Sequence, residues 1–106
     1  MSEDAIHRFG RFELDLRQRE LRAGRDRVPL QPRVFELLRY FAVNPARAIS
    51  RDELLAEVWS DVRVTDGSLT KAVRVLRATL RRDPALREAV QTVRGHGYRL
   101  RAPGHS

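Results

Sequence analysis

The spacing of apolar and polar positions predicts a small antiparallel sheet within residues 6–30. Phe12, Leu14 and Leu16 alternate with acidic residues, which is the period-two pattern of a strand with one buried face. Further short strand-like segments span residues 6–9, 20–23 and 27–30. Turns that contain glycine separate the first segment from the second and the third from the fourth. We therefore predict about four antiparallel strands before the first helix.

Two helices are predicted to follow the sheet. Pro32 suits the first turn of a helix, where its missing N–H costs nothing, and apolar residues recur behind it at helical spacing up to Phe41. A second helix is predicted over roughly residues 51–59. It begins with a capping box, in which the Ser50 hydroxyl accepts from the third helical N–H and Glu53 reaches back.

A third helix is predicted over about residues 67–82, and its two faces differ in kind. Its apolar stripe contains Leu69, Ala72, Val73, Leu76 and Leu80. The far side carries Lys71, Arg74, Ala78, Arg81 and Arg82, and Val75 projects near them. Five basic residues and no acid lie between Gly67 and Arg82. Like charges on one helix repel each other, so a basic face without acids costs stability. We therefore interpret this face as a surface that binds nucleic-acid phosphates rather than as a merely solvated surface.

The C-terminal part predicts a β-hairpin. Strand-like segments at 90–94 and 98–101 flank Gly95-His96-Gly97, a tip in which glycines permit a tight turn. Arg94 lies at the base of this tip, where it could enter a minor groove or touch a phosphate. Without the basic helix, an ordinary exposed arginine would be the preferred interpretation. The predicted order of sheet, three helices and hairpin makes this an α+β chain.

Length and charge then narrow the picture. The 106 residues suit one domain, with a core at about 6–101 and flexible ends at 1–5 and 102–106. Residues 1–60 carry a net charge of +1, whereas residues 61–106 carry +6. A basic excess confined to one part of the chain attracts polyanions. The chain has no cysteine and no apolar run that could span a membrane, so we expect a cytoplasmic protein without membrane contact.

The sequence offers little for catalysis. His7, His96 and His105 are far apart in the chain, and Asp52 and Glu53 are explained by the capping box. The chain shows no Ser/His/Asp set, no phosphate-binding loop and no metal-ligand spacing. We therefore expect no enzyme activity, metal, cofactor or small-molecule substrate.

Several motifs resemble the winged-helix DNA-binding domain of the OmpR/PhoB type, across about residues 6–101. The matching stretches are VPLQP at 28–32, FELL at 35–38, ISRDELL at 49–55, VW at 58–59, LRATL at 76–80 and QTVRGHGYRL at 91–100. The resemblance implies an N-terminal four-stranded antiparallel sheet, three helices and a C-terminal hairpin wing. It also implies that the third helix enters the major groove of DNA and that the wing meets the adjacent minor groove.

The resemblance also implies roles for single residues. The positions that match base contacts are Lys71, Val75 and the wing residue Arg94. The positions that match phosphate contacts are Trp59, Ser68, Arg74, Arg77, Thr92 and Tyr98. In this family the loop between the second and third helices can meet RNA polymerase. Here that loop contains Ser60, Asp61, Val62, Arg63 and Val64. Tandem or dimeric binding on DNA is common in the family.

Two positions differ from the pattern of response regulators in this family. Gly67 and Val75 stand where those proteins often carry arginine, so a base preference cannot be transferred. Residues 64–69 look more like those of CadC-like one-component activators, in which a sensor follows the DNA-binding domain. We therefore expect that a C-terminal sensor was removed.

Two other binding functions stay open at this stage. A winged domain can bind protein instead of DNA, although apolar residues would then be expected on the outer face of the third helix. Binding to DNA without sequence preference is also compatible with the composition.

Overall fold

The N-terminal residues form a four-stranded antiparallel sheet. The computed structural model describes residues 5–60 and 66–105, although not the side chain of Asp66. The strands are β1 (Ile6–Phe9), β2 (Phe12–Asp15), β3 (Glu20–Ala23) and β4 (Asp26–Val28), in spatial order β1-β2-β3-β4. Phe9, Phe12, Leu14, Leu21 and Val28 are buried along one face of the sheet. The alternation along the sequence thus identified both the strands and the face that packs on the core.

Three helices follow, α1 (Pro32–Ala42), α2 (Arg51–Val58) and α3 (Asp66–Leu80). Pro32 opens α1, as predicted. The end predicted for α3, at Arg82, is wrong by two residues. The N–H of Arg82 donates to the carbonyl of Thr79, three residues back, so the last turn tightens and the helix ends at Leu80.

Half of the predicted capping box forms. The Ser50 hydroxyl accepts from the Glu53 N–H at 3.0 Å, which caps α2. Glu53 does not close the box in the predicted way, because its carboxylate is engaged elsewhere. It accepts from the Tyr40 hydroxyl and from the guanidinium of Arg47.

A second sheet joins the hairpin to the helices. Its strands are β5 (Ile49–Ser50), β6 (Val90–Val93) and β7 (Gly97–Leu100), in spatial order β5-β7-β6. The predicted hairpin is therefore present, and the wing is defined here as residues 90–100. Because β5 leads directly into α2, the wing is attached to the start of that helix.

The core lies between the first sheet and the three helices. Its largest fully buried side chains are Phe9, Phe12, Phe41, Leu14, Leu21, Leu37, Leu38, Ile49, Leu54, Leu69, Leu76 and Leu80. The three helices contact one another, and α1 also contacts the wing strand β7. None of the helices in the described residues is long and apolar enough to cross a bilayer.

Asp83 ties the first sheet to the end of α3. Its carboxylate accepts from the Arg11 N–H, in the turn between β1 and β2, at 2.8 Å, and from the Ala85 N–H at 3.0 Å. These two backbone donors, assisted by the charge of Arg11, lower the pKa of Asp83 even though burial raises it. The sheet thereby holds the C-terminal end of α3.

Candidate nucleic-acid interface

Helix α3 presents a charged outer face, as the helical periodicity predicts. The stripe of apolar residues assigned to the core is buried, from Leu69 to Leu80. The outer face and the turn after it expose Lys71, Arg74, Val75, Ala78, Arg81 and Arg82. The side chain of Val75 retains 37% of its accessible surface, so an apolar group stands among the cations.

The cations of this region are free of competing carboxylates. Lys71, Arg74, Arg81, Arg82 and Arg94 form no ion pair with any acidic side chain that the structure describes. The N-terminal arginines are different, since Arg8, Arg19, Arg39 and Arg47 each pair with a glutamate. Among the described residues, α3, the turn after it and the wing tip therefore carry five cations without an ion pair.

Arg77 faces the wing, unlike the other α3 cations. Its Nε donates to the Val90 carbonyl at 3.1 Å, and its Nη2 donates to the Thr92 Oγ1 at 2.9 Å. These bonds connect α3 with strand β6. The basic helix and the wing, which are separated by residues 81–89 in the chain, therefore form one continuous surface.

Tyr98 lies close to two guanidinium groups. The Nη1 of Arg51 donates to its hydroxyl at 3.0 Å, and the carbons at the centres of the Arg51 and Arg77 guanidiniums lie 5.7 Å and 5.8 Å from its ring centroid. The Tyr98 ring is largely buried, with 6% of the residue exposed. Its predicted phosphate contact stays a prediction, as does that of Thr92.

Sequence reasoning missed Arg51. The sequence pattern gives this residue no role of its own, yet its side chain contacts the wing. One signal was available: Arg51 is the first residue of α2, where the helix dipole disfavours a positive charge. A cation at that position indicates a partner elsewhere in the fold.

The other residues that are predicted to contact DNA differ in how exposed they are. Arg94 is exposed at the wing tip, and Ser68 is half-buried at the start of α3. Trp59 is only 5% exposed, so little of its surface is available for a phosphate contact. Ser60 is exposed, whereas residues 61–64 of the predicted polymerase-contact loop lie outside the described residues.

Two of the histidines that are far apart in the chain lie close together in the structure. The Nδ1 of His7 and the Nε2 of His105 are 3.2 Å apart. His105 also packs edge-on against Phe9. The described residues contain no group of three or more side chains suited to holding a metal ion.

Comparison with known proteins places this arrangement in a family. Residues 24–100 match the family described as "Transcriptional regulatory protein, C terminal". The chain belongs to this family, the OmpR/PhoB-type domains. The match includes all three helices and the wing, and the family is one of transcription-regulator domains rather than of enzymes.

Relatives and solved structures agree with the assignment to the OmpR/PhoB type. The phosphate regulon transcriptional regulatory protein PhoB of Escherichia coli is 37% identical over 100 residues, which cover 92% of this chain and 42% of PhoB. The DNA-binding domain of E. coli CadC superposes with a TM-score of 0.83 at 29% identity, and 94% of each chain is covered. The RstA DNA-binding domain of Klebsiella pneumoniae, solved in complex with the RstA box, has a TM-score of 0.75 at 28% identity, over 91% of this chain and 96% of that one. The winged-helix fold expected from the sequence motifs is confirmed.

Proposed function

We propose that this domain binds double-stranded DNA sequence-specifically, as part of a bacterial transcriptional regulator. In this proposal α3 lies in the major groove and the wing reaches the adjacent minor groove. The observation that carries it is the row of unneutralised cations on α3, continuous with the wing through Arg77. A helix with a buried apolar face and an unpaired basic face can release counterions from phosphates while it stays packed on its domain.

Each contact residue then has a role. Lys71 and Val75 on α3 and Arg94 in the wing contact bases, and Val75 suits a thymine methyl group. The residues that contact phosphates are Trp59, Ser68, Arg74, Arg77, Thr92 and Tyr98. The bonds from Arg77 to Val90 and Thr92 fix the direction of its guanidinium, which favours a contact of defined geometry.

Relatives support the proposal. The family is named for transcriptional regulation, and the RstA domain was solved on its DNA box. The outer face of α3 also argues against protein binding as the main role, since Val75 is its one large exposed apolar residue among those that the structure describes. Arg81 and Arg82 add positive charge beyond the helix end.

The role of the whole protein extends this proposal. The chain spans 42% of the length of PhoB. We propose that the protein works in the cytoplasm without catalysis of its own, that it binds DNA in tandem or as a dimer, and that the loop from Ser60 through residue 64 contacts RNA polymerase.

Selection of duplexes from a random pool tests the function. The purified domain is mixed with the pool and competitor DNA near physiological salt, and bound duplexes are sequenced. We expect a recovered motif, including repeats spaced by about one helical turn. Salt-sensitive binding without a motif would contradict sequence specificity, and no binding at low salt would contradict DNA binding altogether.

Two substitutions separate the roles on α3. Arg74→Ala should weaken binding to all duplexes and reduce the salt dependence by about one unit of slope, because one phosphate contact is lost. Lys71→Ala should instead cost about 1–3 kcal/mol at particular base pairs. Equal weakening of every duplex by Lys71→Ala would exclude its role in base recognition.

A further inference from the structure

Arg51 contacts the wing on both sides of Gly97. Its backbone N–H donates to the His96 carbonyl at 3.1 Å, and its guanidinium Nη1 donates to the Tyr98 hydroxyl at 3.0 Å. Gly97 makes this possible, because a Cβ there would overlap the Ile49 carbonyl and lie 2.9 Å from the Arg51 nitrogen. The tip of the wing is thus held directly on the first residue of α2.

The same side chain also reaches α3. The Nη2 of Arg51 donates to the Thr70 Oγ1 at 3.3 Å, and Thr70 directly precedes Lys71. One guanidinium therefore connects the two elements that are proposed to enter adjacent grooves. Arg77, whose guanidinium also lies near the Tyr98 ring, makes a second connection between the same two elements through Thr92.

Elementary chemistry favours a positioning role for Arg51. A guanidinium presents several N–H donors in a fixed plane, so it can bridge two hydroxyl groups in a way that an ammonium cannot. Its position at the first residue of α2 is unfavourable for the helix dipole, so helix stability does not account for it. The side chain is half-buried and directed at protein acceptors.

We infer that Arg51 is a positioning residue, which fixes the wing relative to α3 so that Arg94 reaches its groove while Lys71 is seated in the other. This inference rests on the proposed DNA-binding function. Part of the affinity for DNA would then come from a contact within the protein. Arg51 makes this contact, although it lies outside both α3 and the wing.

A double-mutant cycle tests the inference on the duplex that the unmodified domain selects. Arg94→Ala alone should raise Kd by roughly tenfold, as loss of a base-edge contact does. In an Arg51→Gln background the same substitution should raise Kd by less than about twofold, because the Arg51 side chain no longer fixes the wing relative to α3. Additive effects of the two substitutions would overturn the inference, since independent DNA contacts add.

A lysine variant distinguishes bridging from charge. Arg51→Lys keeps the positive charge, but its single nitrogen does not present two donor nitrogens held apart in a fixed plane, so we expect it to show the same loss of coupling as Arg51→Gln. Coupling at the level of the unmodified domain in Arg51→Lys would show that charge alone is needed, which overturns the inference. Arg25→Gln, in an exposed turn of the first sheet, is the matched control and should leave the coupling unchanged.

Hydrogen exchange in the free protein gives a readout that needs no DNA. Amides of residues 92–98 should exchange about tenfold faster in Arg51→Gln, while those of α1 stay protected and show that the domain is folded. Unchanged exchange in the wing would overturn the inference even if DNA affinity fell. If the unmodified domain binds no duplex, the proposed function is refuted. Hydrogen exchange in the free protein would then still decide whether Arg51 holds the wing.

Discussion

At the scale of single residues, a few polar side chains join segments that are distant in sequence. Glu53 illustrates this, because it lies on α2 and accepts from Tyr40 on α1 and from Arg47 in the connection between them. The Arg47 hydrogen bond, followed by the Tyr40 hydroxyl, lowers the pKa of Glu53 to about 2. Its charged form is therefore favoured in the folded protein. The resulting stability is complete above the ordinary pKa of 4.5 and is lost as the pH falls toward 2.

Tyr40→Phe should raise the pKa of Glu53 from about 2 toward its ordinary value of 4.5, because one donor to the carboxylate is removed. NMR titration of the Glu53 side-chain carbonyl carbon measures this directly. Tyr98→Phe, which removes a hydroxyl in the wing, is the matched control and should leave the titration unchanged. An unaltered pKa in Tyr40→Phe would show that this hydroxyl does not stabilise the carboxylate.

Gly10→Ala should destabilise the domain by about 2–3 kcal/mol, through backbone strain and a steric clash. Gly10 has a φ of +57°, and a Cβ there would overlap the carboxylate of Asp83. Chemical denaturation measures the loss. Gly24→Ala is a matched control, because Gly24 has a φ of +65° but open space around it, so it should cost only the backbone strain. Equal losses in the two variants would mean that contact with Asp83 adds nothing.

At the scale of elements, α3 and the wing work together only because β5 and α2 connect them. The wing strand β7 pairs with β5, with Ile49 opposite Tyr98 and Ser50 opposite Gly97. The two residues of β5 are too few to be stable alone, so this pairing depends on the close approach at Gly97. The orientation of the wing is thus a property of three elements together.

Gly97→Ala should displace the wing from β5 and cost about 3 kcal/mol, because the Cβ would meet backbone atoms, which cannot move away as a side chain can. Thermal unfolding gives the loss, and chemical shifts of residues 49–50 report the displacement. Gly95→Ala is the control: its φ of +70° brings strain, but no heavy atom lies within 4 Å of its Cβ position. Shifts at residues 49–50 as small as those in Gly95→Ala would contradict a displaced wing.

At the scale of the whole molecule, the segment after the wing returns to the first strand. His105 packs on Phe9 and His7, although residues 102–106 were expected to be a flexible end. Burial, followed by the charge of His7, lowers the pKa of His105 below its ordinary value of 6.5. The folded arrangement therefore binds protons less readily than the unfolded chain. Its stability is highest above about pH 6.5 and decreases as the pH falls below that value.

Acidification from pH 8 to pH 5 should release residues 102–105 from β1, because burial against Phe9 and His7 disfavours the protonated form of the His105 imidazole. Hydrogen exchange at the His105 amide, which donates to the Ala102 carbonyl at 3.3 Å, follows the release. His7→Phe should weaken the pH dependence, whereas His96→Gln in the exposed wing tip should not. Exchange that does not depend on pH in the unmodified protein would contradict this account.

The sequence by itself determined the elements, because local periodicity specifies which residues a helix or strand must bury. Leu69, Val73 and Leu76 recur at helical spacing, and this was enough to identify both faces of α3. The motifs around the wing likewise indicated the family. The resemblance marked Arg77 and Tyr98 as contacts with DNA, but not as partners of each other.

Only the tertiary structure decided which side chains meet. Arg51 with Tyr98, Arg11 with Asp83 and His7 with His105 are separated by 47 to 98 residues, and no local pattern encodes such pairs. They arise because packing of the apolar core fixes the positions of the sheet, helices and hairpin, and polar groups at their borders then find partners within reach. The sequence pattern was enough to identify the face that is proposed to bind DNA. The contacts that hold α3 and the wing together on that face were decided by the fold.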